Sequence, residues 1–390
     1  MNKAALALRL PEAALQSATC NRPHLVHVFP SFNIGGVQVR FATLAQAMGE
    51  RFRHTVVSLN NEYGAAALIA ADVPVAYASP PRPSRSPLIR IGRLAGLLDE
   101  LEPDLLLTHN WGAMEMVMAN AFARRPHIHL EDGFGPEEAN GQLLRRVWTR
   151  RLALARSQVI VPSKTLHAIA TRTWGLDGRR VAHIPNGIAP LGKIRTPLNS
   201  LGLDLPVGAV RIAWAGALRR EKNPLRLLRA FAPLKDRAVL LLIGDGPERP
   251  AIAQEAARLG LGARLLLLGD RTDSRDIIAQ CDLLALPSDT EQMPLVVLEA
   301  MDAALPVVAS DVGDIREMVA EDNRAFIVPA SDAAFADALR TLVEDGGLRS
   351  RVGLANLARQ RTVYTLPPMV EAYDAAFARA TAGARKGPPS

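Results

Sequence analysis

Short apolar runs alternate with amphipathic stretches of roughly a dozen residues along most of the chain. In the first half the runs predict strands at His24–Phe29, Thr55–Leu59, Val73–Ala78, Asp104–Thr108, His127–Leu130, Gln158–Val161 and Val181–Ile184. In the second half they predict strands at Arg211–Ala215, Val239–Ile243, Arg264–Leu268, Leu283–Leu286, Pro306–Ala309 and Ala325–Val328. Strands alternating with helices read as βαβ units, so the expected class is α/β with two parallel, doubly wound sheets. Residues 189–207 hold several Pro and Gly without periodicity and read as a linker. They separate a first domain, 23–188, from a second, 208–365. Met369–Ala380 follows a Pro-Pro break and reads as a helix, so 366–380 is expected to pack apart from the second sheet, back on the first domain. Residues 1–22 read as a poorly ordered extension and 381–390 as a disordered tail.

Composition narrows the class. A chain of 390 residues with 48% hydrophobic content is long enough for two buried cores. Its two cysteines, Cys20 and Cys281, are far apart, which argues against a disulfide framework and for a reducing, cytoplasmic setting. No apolar run approaches the ~20 residues that span a bilayer. Arg9, Pro11 and Glu12 interrupt the N-terminal Ala/Leu stretch too early for a signal peptide. Net charge is +7 but uneven: residues 1–195 carry 23 Lys and Arg against 14 Asp and Glu, the remainder 23 against 25. An anionic partner would therefore meet the first half. A genome-wide preference for Arg explains the same count without a partner. No nucleic-acid recognition motif is present, so no nucleic-acid partner is expected.

Ligands of open α/β sheets bind beyond the carboxyl ends of the strands, so chemistry is sought in the loops there. After Leu283–Leu286 the chain reads Ser288-Asp-Thr-Glu291-Gln-Met-Pro294-Leu-Val-Val-Leu-Glu299-Ala-Met301. Pro294 fits the first turn of a helix, which places Glu291 at the helix mouth and Glu299 on the second turn. A helix N-terminus favours a bound anion such as phosphate. Two carboxylates beside a phosphate site suit a sugar nucleotide; two solvated glutamates on a surface helix are the plainer alternative. After Arg211–Ala215, Arg219, Arg220 and Lys222 precede another helix start, where an anion would compensate them. After the first strand, Gly35 and Gly36 lie between strand and helix and permit close backbone approach to a ligand, or form a plain turn. The Gly244-Asp245-Gly246-Pro247 turn is read as structural.

Together, Gly216-x-Leu-x-x-Glu-Lys222, Ile243-Gly-Asp-Gly-Pro247, Glu291-x7-Glu299 and Leu298-Glu-Ala-Met-x-Ala-x-Leu-Pro-Val-Val-Ala309 resemble the family 4 retaining glycosyltransferases. Val161-Pro-Ser163 and Ile184-Pro-Asn-Gly-Ile188 fit the same pattern, and the resemblance runs from about Leu25 to Ala376. It implies the GT-B fold, two facing Rossmann-like domains with a cleft between them. It also implies that Glu291 contacts donor-sugar hydroxyls, Glu299 the ribose hydroxyls and Lys222 the diphosphate. Gly36, beside Gly35, would approach the diphosphate or the transferred sugar. Three departures stand out. Ala217 occupies a position that is usually Arg, which Arg219 or Arg220 would replace. Gln292 stands where Gly is common. The loop Glu131-Asp-Gly-Phe-Gly135 lacks the family's His, so Asp132, or His109 after the preceding strand, would serve the acceptor.

The implied reaction moves a sugar from a nucleotide-sugar donor to an acceptor hydroxyl, with retention. No cofactor is expected, since the sugar nucleotide is a substrate. No metal is expected either: cations and a helix N-terminus would stabilise the leaving diphosphate, and no metal-ligand spacing is visible. Arg145, Arg146, Arg150 and Arg151, beside Leu144, Val147, Trp148 and Leu152, form a basic amphipathic stretch. It fits either an anionic membrane surface or a helix whose apolar stripe is core. A saccharide or lipid-linked acceptor at the inner face of the cell membrane follows from the first of these. A non-catalytic sugar-nucleotide-binding scaffold and a GT-B sugar-nucleotide epimerase are the rival readings.

Overall fold

The computed structural model describes residues 22–138, 141–203 and 205–385. The expected disordered extension therefore lies outside the described residues, apart from Arg22. Among the described residues, thirteen strands form two sheets. The first holds β1 His24–Phe29, β2 Arg53–Ser58, β3 Val75–Ala78, β4 Leu105–His109, β5 His127–Leu130, β6 Gln158–Val161 and β7 Val181–His183. The second holds β8 Val210–Ala215, β9 Ala238–Ile243, β10 Leu265–Leu267, β11 Leu283–Leu286, β12 Val307–Ser310 and β13 Ile327–Val328. All pairs of neighbouring strands are parallel. The continuous apolar runs follow from this: parallel strands covered by helices on both faces have no polar side to show.

The sheet orders are β3-β2-β1-β4-β5-β6-β7 and β10-β9-β8-β11-β12-β13. Each order reverses at one place, between β1 and β4 and between β8 and β11, and loops diverging there leave a crevice. The helices that bear on that crevice or its surroundings are α1 Gly36–Met48, α2 Pro87–Leu101, α3 Met114–Ala123, α4 Leu144–Ala153, α5 Lys164–Ala168, α6 Pro224–Phe231, α7 Leu295–Asp302 and α8 Leu366–Arg385.

The last helix lies against the first sheet. Met369, Tyr373, Ala376 and Phe377 are buried with Leu25, Leu44, Met48, Phe52 and Leu105. Arg51 pairs with Asp374 at 2.8 Å beside this contact. The two chain crossings between the lobes touch, with Ile188 N donating to Tyr364 O at 3.0 Å. The tail expectation is corrected at 381–385, where α8 continues through Thr381 to Arg385; residues 386–390 lie outside the described residues. Thr381 is buried, and its hydroxyl donates to the Phe377 carbonyl at 3.0 Å, so a polar residue is accommodated within the helix.

Candidate active site

In the second lobe, strand-end loops are stitched together at close range. Gly244 (φ 132°) lies so near Gly216 that an added Cβ would come within 2.0 Å of its carbonyl oxygen. Only glycine permits this approach of the β9 loop to the β8 loop. Leu218 N donates to Asp245 O at 2.9 Å, and the Asp245 carboxylate accepts from Gly246 N at 2.7 Å. Asp245 is thus tied into its own turn. Beyond it, Arg220–Lys222 forms a single 3₁₀ turn and Asn223 caps α6 from the left-handed conformation, accepting from Arg226 N at 3.2 Å. Asn223 also donates to the Asp289 carboxylate at 3.1 Å, and Asp289 N donates to Glu221 O at 2.8 Å. The loops after β8 and β11 are therefore held side by side.

That juxtaposition brings two of the expected site residues into contact. Lys222 Nζ donates to Glu291 Oε1 at 2.7 Å, and Ser288 Oγ donates to the same oxygen at 2.8 Å. Glu291 is nearly enclosed, its side chain 8% exposed, while Lys222 is more open. Glu299 sits on the second turn of α7, half-buried; burial pushes its carboxyl above the ordinary range, and Arg275 opposes the shift. Pro294 is placed differently from the sequence reading. It is the N-cap of α7 (φ −68°, ψ 126°), one position before the first turn, because its extended ψ is where the chain enters the helix. Arg219 and Arg220 are both exposed, on the solvent side of this loop.

In the first lobe, Gly35 is the extended residue before α1 and Gly36 its first residue. A Cβ on Gly36 would lie 3.9 Å from Leu295 Cδ1, an ordinary contact, so the start of α1 faces the start of α7 across the cleft. One turn further, Arg40 points inward and is 4% exposed. It makes a bidentate pair with Asp132, with Nη2 to Oδ2 at 2.7 Å, and donates to Asn186 Oδ1 at 3.2 Å. Burial disfavours the charge on Arg40, yet Asp132 beside it raises its pKa. Both oxygens of Asp132 are thus taken by Arg40, and its backbone N–H donates to Asn110 at 2.7 Å.

His109 lies elsewhere. It ends β4 with its ring stacked on Phe29 at 3.8 Å between centroids, and neither ring nitrogen is exposed or partnered. Burial, then Arg40 and His129, hold it well below the ordinary imidazole pKa. The structure therefore gathers Glu291, Lys222, Glu299, Gly35, Gly36 and Asp132 around the crevice, while His109, at the end of β4 beside the first switch point, is buried against Phe29. Among the described residues no group of His, Cys, Asp or Glu is placed to hold a metal.

The basic stretch also divides. Arg150 is fully buried, its guanidinium 4.8 Å from the Trp111 and Trp174 ring centroids and paired with Glu138 at 3.0 Å. Arg146 pairs with Glu138 at 3.2 Å. The apolar stripe turns the other way: Leu144, Trp148 and Leu152 are 77%, 57% and 73% exposed, beside exposed Arg145 and Arg151. The expectation that all four arginines share one outward surface is thus corrected. Aromatic rings and the Glu138 carboxylate, brought in from separate segments, claim the inner two.

Arg40, Asn186, Gln292, Ser163 and Asp314 were not singled out from sequence as site residues. The available signals were the motifs holding Ser163 and Asn186, and Gln292, which stands where glycine is common.

Two facing doubly wound lobes, with the candidate side chains at both switch points, define the GT-B architecture of glycosyl-transferring enzymes. Residues 34–190 match Glycosyltransferase Family 4 and residues 209–345 match Glycosyl transferases group 1. The chain belongs to the family 4 glycosyltransferases and is a glycosyltransferase. It is 28% identical over 308 residues to a D-inositol 3-phosphate glycosyltransferase of Stackebrandtia nassauensis, covering 73% of this chain and 68% of that one. It is 31% identical over 268 residues to an alpha-maltose-1-phosphate synthase of Mycolicibacterium smegmatis, covering 60% and 68%. Its fold is similar to that of Anabaena Alr3699/HepE in complex with UDP-glucose, with a TM-score of 0.77 at 20% identity over 92% of this chain and all of that one.

Proposed function

We propose that the chain transfers a sugar from a nucleotide-sugar donor to an acceptor hydroxyl, with retention and without a metal. The Lys222–Glu291 pair at the second switch point carries this reading: it sets a cation and an anion where a diphosphate and a sugar would lie side by side. Lys222, aided by exposed Arg219, neutralises the leaving diphosphate, and the α7 N-terminus adds its dipole. Glu291 accepts from sugar hydroxyls and Glu299 from the ribose. Gly35 and Gly36 bring the first-lobe backbone to the donor. Asp132, held by Arg40, orients the acceptor; it is preferred to His109, whose ring nitrogens reach no surface.

The acceptor is a saccharide or lipid-linked precursor, met at an anionic bilayer on the cytoplasmic side. Leu144, Trp148 and Leu152 at helical spacing, flanked by Arg145 and Arg151, support this surface, with Arg151 5.4 Å over the Trp148 ring. UDP-glucose, seen in the complex of similar fold, is one donor to be tested.

A panel of sugar nucleotides is offered to the full chain, and thermal shift and nucleoside diphosphate release are followed. At least one donor is expected to raise the melting temperature and turn over, at a rate unchanged by excess chelator. Stabilisation by none would overturn the donor assignment. Co-sedimentation with acidic vesicles, lost in an Arg145→Gln, Arg151→Gln, Trp148→Ala variant, tests the membrane surface. Failure of the wild type to sediment at low salt would remove it.

A further inference from the structure

The loop bearing Glu291 is fastened to the first lobe by side chains that the donor chemistry does not use. Ser163, fully buried, caps α5 by accepting from Leu166 N at 3.0 Å and donates its hydroxyl to Gln292 Oε1 at 2.9 Å. Asp314 reaches from the second lobe to the same turn of α5. Its carboxylate accepts from Lys164 N at 2.6 Å, Thr165 N at 3.0 Å and Thr165 Oγ1 at 2.6 Å. The circuit closes on the loop itself, because Asp314 N donates to Gln292 O at 2.9 Å. Gln292 and Asp314 are 5% and 6% exposed, so water competes poorly for these bonds. One residue on, Asn186 Nδ2 donates to Met293 O at 2.8 Å.

We infer that Gln292 and Asp314 are positioning residues: they join the donor loop to the first turn of α5 and so hold Glu291 at the closed cleft. This rests on the reading that Glu291 serves the donor sugar. The Gln292 side chain also spans toward the acceptor-side loop, with its Cγ 3.4 Å from where a Cβ on Gly133 would lie. A glycine at position 292 would keep the backbone bonds and lose the side-chain bond to Ser163. In this chain the extra side chain therefore couples the donor loop to lobe closure. Asp314 contributes more than Gln292, since charge-assisted bonds to a carboxylate are the stronger kind.

The test uses the full chain as wild type, Asp314→Asn, Gln292→Met, Thr165→Val and Thr165→Ser. Small-angle scattering without ligand reads lobe separation, and steady-state kinetics with a donor found to turn over reads kcat. Nucleoside diphosphate affinity is measured alongside, because that fragment would contact the second lobe alone. Asp314→Asn and Thr165→Val are expected to enlarge the radius of gyration and lower kcat, with nucleoside diphosphate affinity unchanged. Each charge-assisted bond lost shifts the closed-to-open ratio by about tenfold or more. Gln292→Met gives a smaller change of the same sign, and Thr165→Ser, which keeps the hydroxyl, restores wild-type behaviour.

Unaltered scattering and kcat in Asp314→Asn and Thr165→Val would overturn the assignment. So would equal losses in Thr165→Val and Thr165→Ser. Thr165 is exposed, so its variants decide the matter even if Asp314→Asn fails to fold. If no sugar nucleotide turns over, the donor reading fails, while the scattering comparison still decides the latch.

Discussion

Lys222 Nζ and Ser288 Oγ converge on one oxygen of Glu291, at 2.7 and 2.8 Å. The cation proposed for phosphate and the carboxylate proposed for sugar thus satisfy each other. A bound diphosphate would draw Lys222 away while sugar hydroxyls replace it at Glu291. Lys222→Ala is therefore expected to lower turnover about tenfold or more, through loss of a charge-assisted contact to the leaving group. Its cost in stability should be about 1–3 kcal/mol, since Lys222 is only partly exposed and its loss leaves the nearly enclosed Glu291 carboxylate with Ser288 alone. Arg220→Ala, on the exposed side of the same turn, should change neither. Donor kinetics and urea midpoints measured on both variants check this; equal losses would show that the cation is misassigned.

The two faces of α4 should respond oppositely to mutation. Arg150→Ala leaves the Glu138 carboxylate buried without its main partner, and is expected to cost about 3–5 kcal/mol. Arg151→Ala, outward and beside Trp148, should stay within about 0.5 kcal/mol of wild type. Chemical denaturation of both variants reads the difference.

Acid should destabilise the first lobe. His24 and His54 are each lowered to about 4, chiefly by burial, and His27 and His109 lie well below the ordinary value for the same first cause. In the unfolded chain these rings titrate near 6.5. Between those values the unfolded state binds more protons than the folded one, so stability falls as pH drops below about 6.5 and goes on falling to about 4. Each such ring contributes up to about 1.4 kcal/mol per pH unit within the window. Urea unfolding at several pH values measures the slope, and His54→Gln should reduce it by roughly one proton.

Gly313→Ala should disturb the site from behind. Gly313 has φ 58°, and a Cβ there would come within 2.4 Å of Glu291 O and 2.7 Å of Gln292 O. Left-handed strain alone costs about 1–2 kcal/mol, and relief of the clash displaces the Glu291 loop. The expected outcome is a turnover loss well beyond what the change in melting temperature explains. Wild-type turnover would show that the loop tolerates displacement.

The sheets were legible because buried parallel strands are mostly apolar, even with buried histidines such as His27 and His54 among them, and each of the thirteen predicted runs became a strand within two residues at either end. The pairing of Lys222 with Glu291 was half legible: both residues stood out as site candidates, but nothing in sequence showed that they touch across 69 positions. Long-range side-chain contacts, within a lobe or between lobes, were not legible. Arg40 meets Asp132 92 positions away, and Ser163 meets Gln292 129 away; neither pair leaves a periodic trace. The rotation of α4 was ambiguous for a different reason. Its apolar and basic stripes overlap, and the aromatic rings that draw Arg150 inward come from segments distant in sequence.

Because α8 completes the hydrophobic cluster under β1, β4 and β5, the first lobe cannot finish its core from its own contiguous stretch of chain. A ribosome must synthesise the entire second lobe before Met369, Tyr373 and Phe377 emerge to seal the first. During synthesis the N-terminal lobe would thus wait with an open apolar face while the C-terminal lobe has all its strands in hand. The clusters on the other helices of the first lobe need nothing from the second, so only this last layer of its core waits for residues 366–385.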